Sequence, residues 1–279
     1  MSERRLLVFG LGYTARAFVK RLGPEWAVAR TTHDGRDGTL RFDRGHPLPD
    51  EIFETVTHAL VSVPPDEAGD PVCDLHGEDL AALRDLRWVG YLSTTGVYGT
   101  RNGDWVDETA ELRPTGARSE RRAAAEAAWL TLWRQHDVPV HVFRLAGIYG
   151  PGRSAFDALR AGTAKRIDAG AQKFSRIHVD DIANVLLASI AKPRPGAIYN
   201  VCDDEPAGQA EIVACAAQLL GVEPPRLVPL ADADLSPMAR SFYADNKRVS
   251  NALIKAELGV TLAYPDYRAG LNAILAGGG

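Results

Sequence analysis

A doubly wound α/β fold, with a parallel sheet and a small C-terminal α/β lobe, is what these 279 residues predict. Two observations predict it. Short apolar runs alternate with longer stretches of helical spacing along most of the chain, the pattern of parallel strands joined by crossover helices. The first of those runs, Leu6-Leu7-Val8-Phe9, passes directly into Gly10-Leu11-Gly12-Tyr13-Thr14-Ala15, after which Ala15, Phe18, Val19 and Leu22 recur at helical spacing. Strand, glycine turn and helix in that order open a Rossmann-type unit.

The other elements follow in order. Gly23-Pro24 breaks the first helix, residues 26–29 read as a second strand and residues 39–42 as a weaker third. Residues 58–63 form a fourth, stopped by Pro64-Pro65. A helix over about 75–86 leads to a strand over 88–93, and an Ala-rich helix over about 119–135 leads to a strand over 140–145. Asp180-Asp181 are expected to cap a helix through Ala191, residues 197–201 to form one more strand, and residues 209–220 a helix. The Pro- and Asp-rich stretch 223–237 reads as a connection and residues 277–279 as a frayed tail. The expected division is a Rossmann domain from residues 1–149 plus 177–202 and a substrate-binding lobe from 150–176 plus 203–279.

Composition narrows the class of protein. At 46% hydrophobic and 24% charged residues the chain has the composition of a globular protein with a large core. Its net charge of −4 and lack of any block of like charges argue against a nucleic-acid surface, which needs clustered Lys and Arg. Cys73, Cys202 and Cys215 are odd in number and widely spaced, so neither a disulfide framework nor a zinc site is expected. Arg4-Arg5 before an apolar run imitates a signal peptide, but the run is too short and no cleavage pattern follows. With no apolar segment of membrane-spanning length, the expectation is a cytoplasmic protein that does not bind membrane.

The glycine turn is the first candidate site. Gly10 and Gly12 permit a tight turn and let the backbone approach a pyrophosphate, while small Ala15 lets the helix pack on its strand. Unpaired N–H groups of Tyr13, Thr14 and Ala15 at the helix start suit phosphate oxygens. Choice between dinucleotides is expected at the end of the second strand, where an acidic residue marks NAD and an Arg favours a 2′-phosphate. That position is Arg30, followed by Thr31, so NADP is the expected cofactor, with NAD left open because Asp34 follows closely. Val63 and Pro64, leaving the fourth strand, complete the expected cofactor set.

The run Ser93-Thr94-Thr95-Gly96-Val97-Tyr98-Gly99 resembles the Ser/Thr-x-x-x-Tyr-Gly segment of the extended short-chain dehydrogenase/reductase superfamily, in its epimerases and dehydratases. Arg144-Leu145-Ala146-Gly147-Ile148-Tyr149-Gly150-Pro151-Gly152 is similar to that superfamily's segment after the sixth strand, Ile177-His178-Val179-Asp180-Asp181 to a helix start, and Tyr199-Asn200-Val201 to a late strand. Val61-Ser62-Val63-Pro64-Pro65, Asn246-Lys247-Arg248-Val249 and Glu257-Leu258-Gly259 are similar to an atypical branch of NAD-dependent epimerase/dehydratase-like proteins. The resemblance implies that Thr94 hydrogen-bonds a substrate oxygen.

It breaks at the catalytic pair. Active relatives carry Tyr-x-x-x-Lys with a Glu four residues on; anchoring on Glu126 puts Arg122 at the Lys and Arg118 at the Tyr. A guanidinium stays protonated near neutral pH, so Arg118 cannot be a general acid or base, although it can bind an anion. Spacing of four places Arg118, Arg122 and Glu126 on one helical face, which is either an anion site or a solvated charged surface. Tyr98 is expected to pack rather than react, Asp107 and Glu108 to lie in a solvated loop, and His178 to make a structural hydrogen bond. No metal-ligand spacing exists among the histidines.

The sequence therefore leads to an NADP(H)-dependent oxidoreductase or epimerase/dehydratase-like enzyme acting on a polar small molecule, an anionic one included, without Tyr-x-x-x-Lys. In it Thr94 orients the substrate oxygen and Arg118 and Arg122 supply charge. The alternative is a non-catalytic NAD(P)-binding sensor or scaffold.

Overall fold

Leu6, Leu7, Val8 and Phe9 alternate sides of β1 (Arg4–Phe9), yet all are buried, as expected for a strand covered on both faces. The computed structural model describes residues 4–236, 240, 243 and 245–278. From β1 the chain runs through α1 (Tyr13–Val19), β2 (Trp26–Thr32), β3 (Leu40–Arg41), β4 (His58–Val61), α2 (Pro71–Ala82) and β5 (Trp88–Thr94). It continues through β6 (Trp105–Val106), α3 (Ala117–His136), β7 (Val140–Leu145), β8 (Gly147–Tyr149), α4 (Ala155–Arg160), β9 (Arg166–Asp168) and β10 (Arg176–His178). The remainder is α5 (Val179–Ala191), β11 (Ile198–Val201), α6 (Gln209–Leu220), β12 (Leu227–Pro229), β13 (Arg248–Val249), α7 (Ala252–Leu258) and α8 (Tyr267–Ala276).

Seven strands pair in parallel in the order β3-β2-β1-β4-β5-β7-β11. This is the doubly wound Rossmann sheet the alternation predicted. Leu6, Val8, Leu60, Trp88, Phe143 and Tyr199 face one side under α1, α5 and α7. Leu7, Phe9, Val61, Val89, Tyr91 and Val142 face the other, with Ala125 and Trp129 of α3 packed on them. A separate apolar cluster of Tyr149, Phe156, Ile212, Ala216, Tyr267 and Leu271 joins α4, α6 and α8. Strand order reverses between β1 and β4, so the carboxyl ends of these two strands flank the crevice where ligands of open α/β sheets bind.

Several boundaries differ from the sequence expectation for local reasons. The second helix starts at Pro71, because Asp70 Oδ1 accepts hydrogen bonds from Val72 N and Cys73 N and proline fits the first helical position. The fourth strand ends at Val61, two residues before the expected end. Asp180 and Asp181 do not cap α5: His178 does, its Nδ1 accepting from Asp180 N at 3.2 Å. Asp181 instead receives Ala263 N and Tyr264 N, pinning a distant segment. The stretch read as a bare connection contains β12, paired with β9; its last residue, Pro237, lies outside the described residues. Gly277 and Gly278 donate to Ala273 O and Leu275 O and so close α8 instead of fraying, while Gly279 lies outside the described residues. Among the described residues no helix is long and apolar enough to cross a membrane.

Candidate functional site

The turn after β1 is held by β2. Thr31, fully buried, accepts Gly10 N on its Oγ1 at 2.9 Å and Leu11 N on its carbonyl at 2.7 Å. Gly10 has a φ of +85°, a conformation glycine adopts without penalty, and a β-carbon there would lie 3.1 Å from Val63 Cγ2. Gly12 is different: a β-carbon there would meet nothing within 4 Å, so its outer side opens onto the crevice. Gly12 is also the N-cap of α1 and brings no capping side chain. Thr14 and Ala15 are buried beneath the turn. Tyr13 turns away along the surface, donating to Pro151 O at 3.0 Å, with the Arg153 guanidinium 5.7 Å from its ring. Val63 is half-buried and Pro64 exposed at the opposite rim.

Arg30 is exposed near the end of β2, and its guanidinium has no hydrogen-bond or ion-pair partner among the described residues. Asp34 pairs with Arg36 at 3.4 Å.

Thr94 ends β5 and caps the 3₁₀ turn Thr95–Tyr98, its Oγ1 accepting Gly96 N at 3.1 Å. Arg118, Arg122 and Glu126 of α3 do not share one environment. Arg118 is exposed and has no partner among the described residues. Arg122 folds back onto β5, donating to Leu92 O at 2.8 Å and Tyr91 Oη at 3.1 Å. Glu126 is 2% exposed and pairs with Arg144, 3% exposed, at 2.7 Å. A solvated charged face is therefore wrong for Glu126, which receives Ser93 Oγ–H as well.

This buried network extends to Tyr98, whose hydroxyl accepts from Arg144 at 2.8 Å and donates to Asn200 Oδ1 at 2.8 Å. Burial pushes the Tyr98 phenol above its ordinary range, against the pull of Arg144. Tyr98 thus packs. Glu108 is not loose in solvent as expected: its Oε1 accepts Asn200 N at 2.7 Å, and burial raises its carboxyl. Asp107 stays exposed and binds Thr109. Burial lowers His178, which stands 4.0 Å from the Tyr264 ring.

The sequence marks Ser119 only as a helix start. Like Thr94, it approaches Gly96: a β-carbon placed there would lie 3.3 Å from Ser119 Oγ and 3.4 Å from Thr94 Oγ1. That approach depends on the angle at which α3 crosses the end of β5, which no spacing within the helix encodes.

Known proteins resemble this chain in sequence and fold. The model of the NAD dependent epimerase/dehydratase family matches residues 79–202. Protein YeeZ of Escherichia coli (strain K12) is 30% identical over 191 residues, 67% of this chain and 62% of YeeZ, so the match spans less than two thirds of that relative's length. A solved structure of a functionally unknown conserved protein from Silicibacter pomeroyi superposes with a TM-score of 0.92 at 49% identity, covering 98% of this chain and 99% of that one. The dTDP-glucose 4,6-dehydratase of Bacillus anthracis, solved in complex with NAD, superposes with a TM-score of 0.76 at 17% identity, covering 98% and 96%.

Proposed function

From the match of residues 79–202 to the model of the NAD dependent epimerase/dehydratase family, we propose that the chain is an NADP(H)-dependent oxidoreductase or epimerase/dehydratase-like enzyme for a polar small molecule. The observation that carries this reading is the crevice at the strand-order reversal, floored by the Gly10 to Gly12 turn and with open space outside Gly12. The residues fit the cofactor: Gly12 admits a phosphate where any side chain would intrude, and the unpartnered Arg30 guanidinium suits a 2′-phosphate. When bound, the nicotinamide supplies hydride transfer.

The chain's own residues bind and orient. Thr94 offers its hydroxyl hydrogen to a substrate oxygen, because its lone pair already holds Gly96 N. Arg118 attracts an anionic group of the substrate without exchanging protons. Arg122 braces the end of β5 that carries Thr94. Substrate lies between the Rossmann part, residues 1–149 plus 177–202, and the lobe of residues 150–176 plus 203–279. A second reading, a non-catalytic NADP(H)-binding protein, is favoured by one observation: Tyr98 and Arg122 are both held in structural hydrogen bonds.

Calorimetry with NADPH tests the shared core of both readings. Wild type should bind, and folded Gly12→Val should lose binding, since valine enters the phosphate site. Unchanged affinity in the variant would remove the crevice from the proposal. Hydride turnover over sugar-nucleotide, carbonyl and hydroxy-acid substrates then separates enzyme from sensor.

A further inference from the structure

Two hydroxyls from separate elements converge on one glycine. Ser119 Oγ, on the first turn of α3, and Thr94 Oγ1, at the carboxyl end of β5, stand 3.3 and 3.4 Å from the position a β-carbon would take on Gly96. Any side chain at 96 would fill that notch. Thr94 Oγ1 accepts Gly96 N, which leaves its own hydrogen available to a third group. Ser119 is half-buried, and its hydroxyl has no hydrogen-bond partner among the described residues. Its backbone N–H reaches Gly116 O, so the residue is fixed in the helix while its hydroxyl remains uncommitted. Arg118, the preceding residue, is exposed with a free guanidinium. β5 lies next to β4, so the notch opens on the same sheet edge as the glycine crevice.

We propose that Ser119 and Thr94 together hold the reacting oxygen of the substrate, a carbonyl or alcohol oxygen on a small molecule whose neighbouring anionic group pairs with Arg118. This rests on the reading of the chain as a nicotinamide-dependent enzyme. Two hydroxyl donors aimed at one oxygen would stabilise the negative charge it gains when bound NADPH gives hydride to its carbon and is oxidised to NADP+, and solvent water would then give that oxygen its proton. Ser119 donates a hydrogen bond and does not supply the proton, because an alkyl hydroxyl is too weak an acid to give it up near neutral pH. Serine can do this only where the backbone beneath it approaches closely. Glycine at position 96 provides that approach.

The test uses the full chain with NADPH. Wild type, Ser119→Ala and Ser119→Thr are titrated with NADPH by calorimetry and assayed for NADPH oxidation over 2-oxo carboxylates and keto-sugar phosphates. Wild type should turn over at least one of them. On the best one, Ser119→Ala should lower kcat by about a hundredfold, the scale for removing one oxyanion donor. NADPH affinity, melting temperature and the midpoint of the pH profile should stay as in wild type, and Ser119→Thr should restore most of the rate. Wild-type kcat in Ser119→Ala overturns the proposal, as does a rate loss matched by a loss of NADPH affinity. NADPH binding by wild type with no turnover on either substrate class also overturns it, leaving the sensor reading standing. Absence of NADPH binding by wild type overturns the functional reading itself.

Discussion

Arg30 and Thr31 are adjacent in β2 but face opposite environments. Thr31 is buried against the glycine turn, which its hydroxyl and carbonyl hold in place, while Arg30 is exposed and unpaired among the described residues. Turn geometry therefore rests on Thr31, and on the proposed reading cofactor choice rests on Arg30. A charge-assisted contact from Arg30 to a 2′-phosphate contributes about 1.5–3 kcal/mol, roughly ten- to hundredfold in affinity. Arg30→Ala should accordingly erase most of the preference for NADP over NAD and leave NAD binding nearly intact. Tighter binding of NAD by wild type would transfer that choice to Asp34 or the backbone. At this scale the sequence was legible where one residue acts on its own neighbours, as in the Gly10-x-Gly12 turn. It was silent on Ser119 and on the partner of Glu126, because both depend on contacts between elements far apart in the chain.

Helix α3 grades from solvent to core along its own length. Arg118 lies in water, Arg122 on the end of β5, and Glu126 in a buried pair with Arg144 of β7. Removing one partner of a buried pair leaves an uncompensated charge, which costs far more than a surface ion pair is worth. Glu126→Gln should destabilise the protein by about 3–5 kcal/mol in urea unfolding, whereas Arg118→Ala should stay within about 0.5 kcal/mol of wild type. Equal effects of the two would mean that the Glu126 site admits water. The sequence predicted this helix to within a residue or two at each end, but its heptad-like charges look alike on paper. Burial separates them only because β5 and β7 lie beneath the middle of the helix, where Glu126 sits. The cap of α5 shows the same limit: Asp180 and Asp181 fit the usual N-cap chemistry, but His178 takes that place once Asp181 is drawn to Ala263 and Tyr264.

For the whole molecule, the parallel doubly wound sheet followed from alternation and the glycine turn, because right-handed crossovers leave few ways to wind such a chain. The short pairs β6 with β13 and β9 with β12 were not legible, since two or three residues carry too little pattern. Just past β11, Asp203 is 1% exposed, and neither carboxylate oxygen has a partner among the described residues. Burial raises it to about 8, with Arg176 pulling the other way. The folded state thus keeps a proton that the unfolded chain releases at the ordinary carboxylate value of 3.8. Stability from this group is fully present below that value, falls as pH rises toward about 8 and is flat above. Urea midpoints should drop between mildly acidic and mildly alkaline buffer, and Asp203→Asn, which cannot ionise, should flatten that drop. An identical pH dependence in the variant would show that Asp203 is ionised in the folded protein.

The two outer strands of the sheet meet solvent in different ways. An outermost strand offers its spare N–H and C=O groups to any other chain, the route by which sheet proteins aggregate. β3 limits this hazard by being only two residues long. β11 is longer, but the Glu108 carboxylate occupies the outward Asn200 N–H, and α7 packs alongside with Glu257 accepting the Tyr199 hydroxyl. The polar loop after β6 therefore acts as a stopper on the sheet's margin, keeping a strand that is essential to the fold from serving as a template for the next molecule.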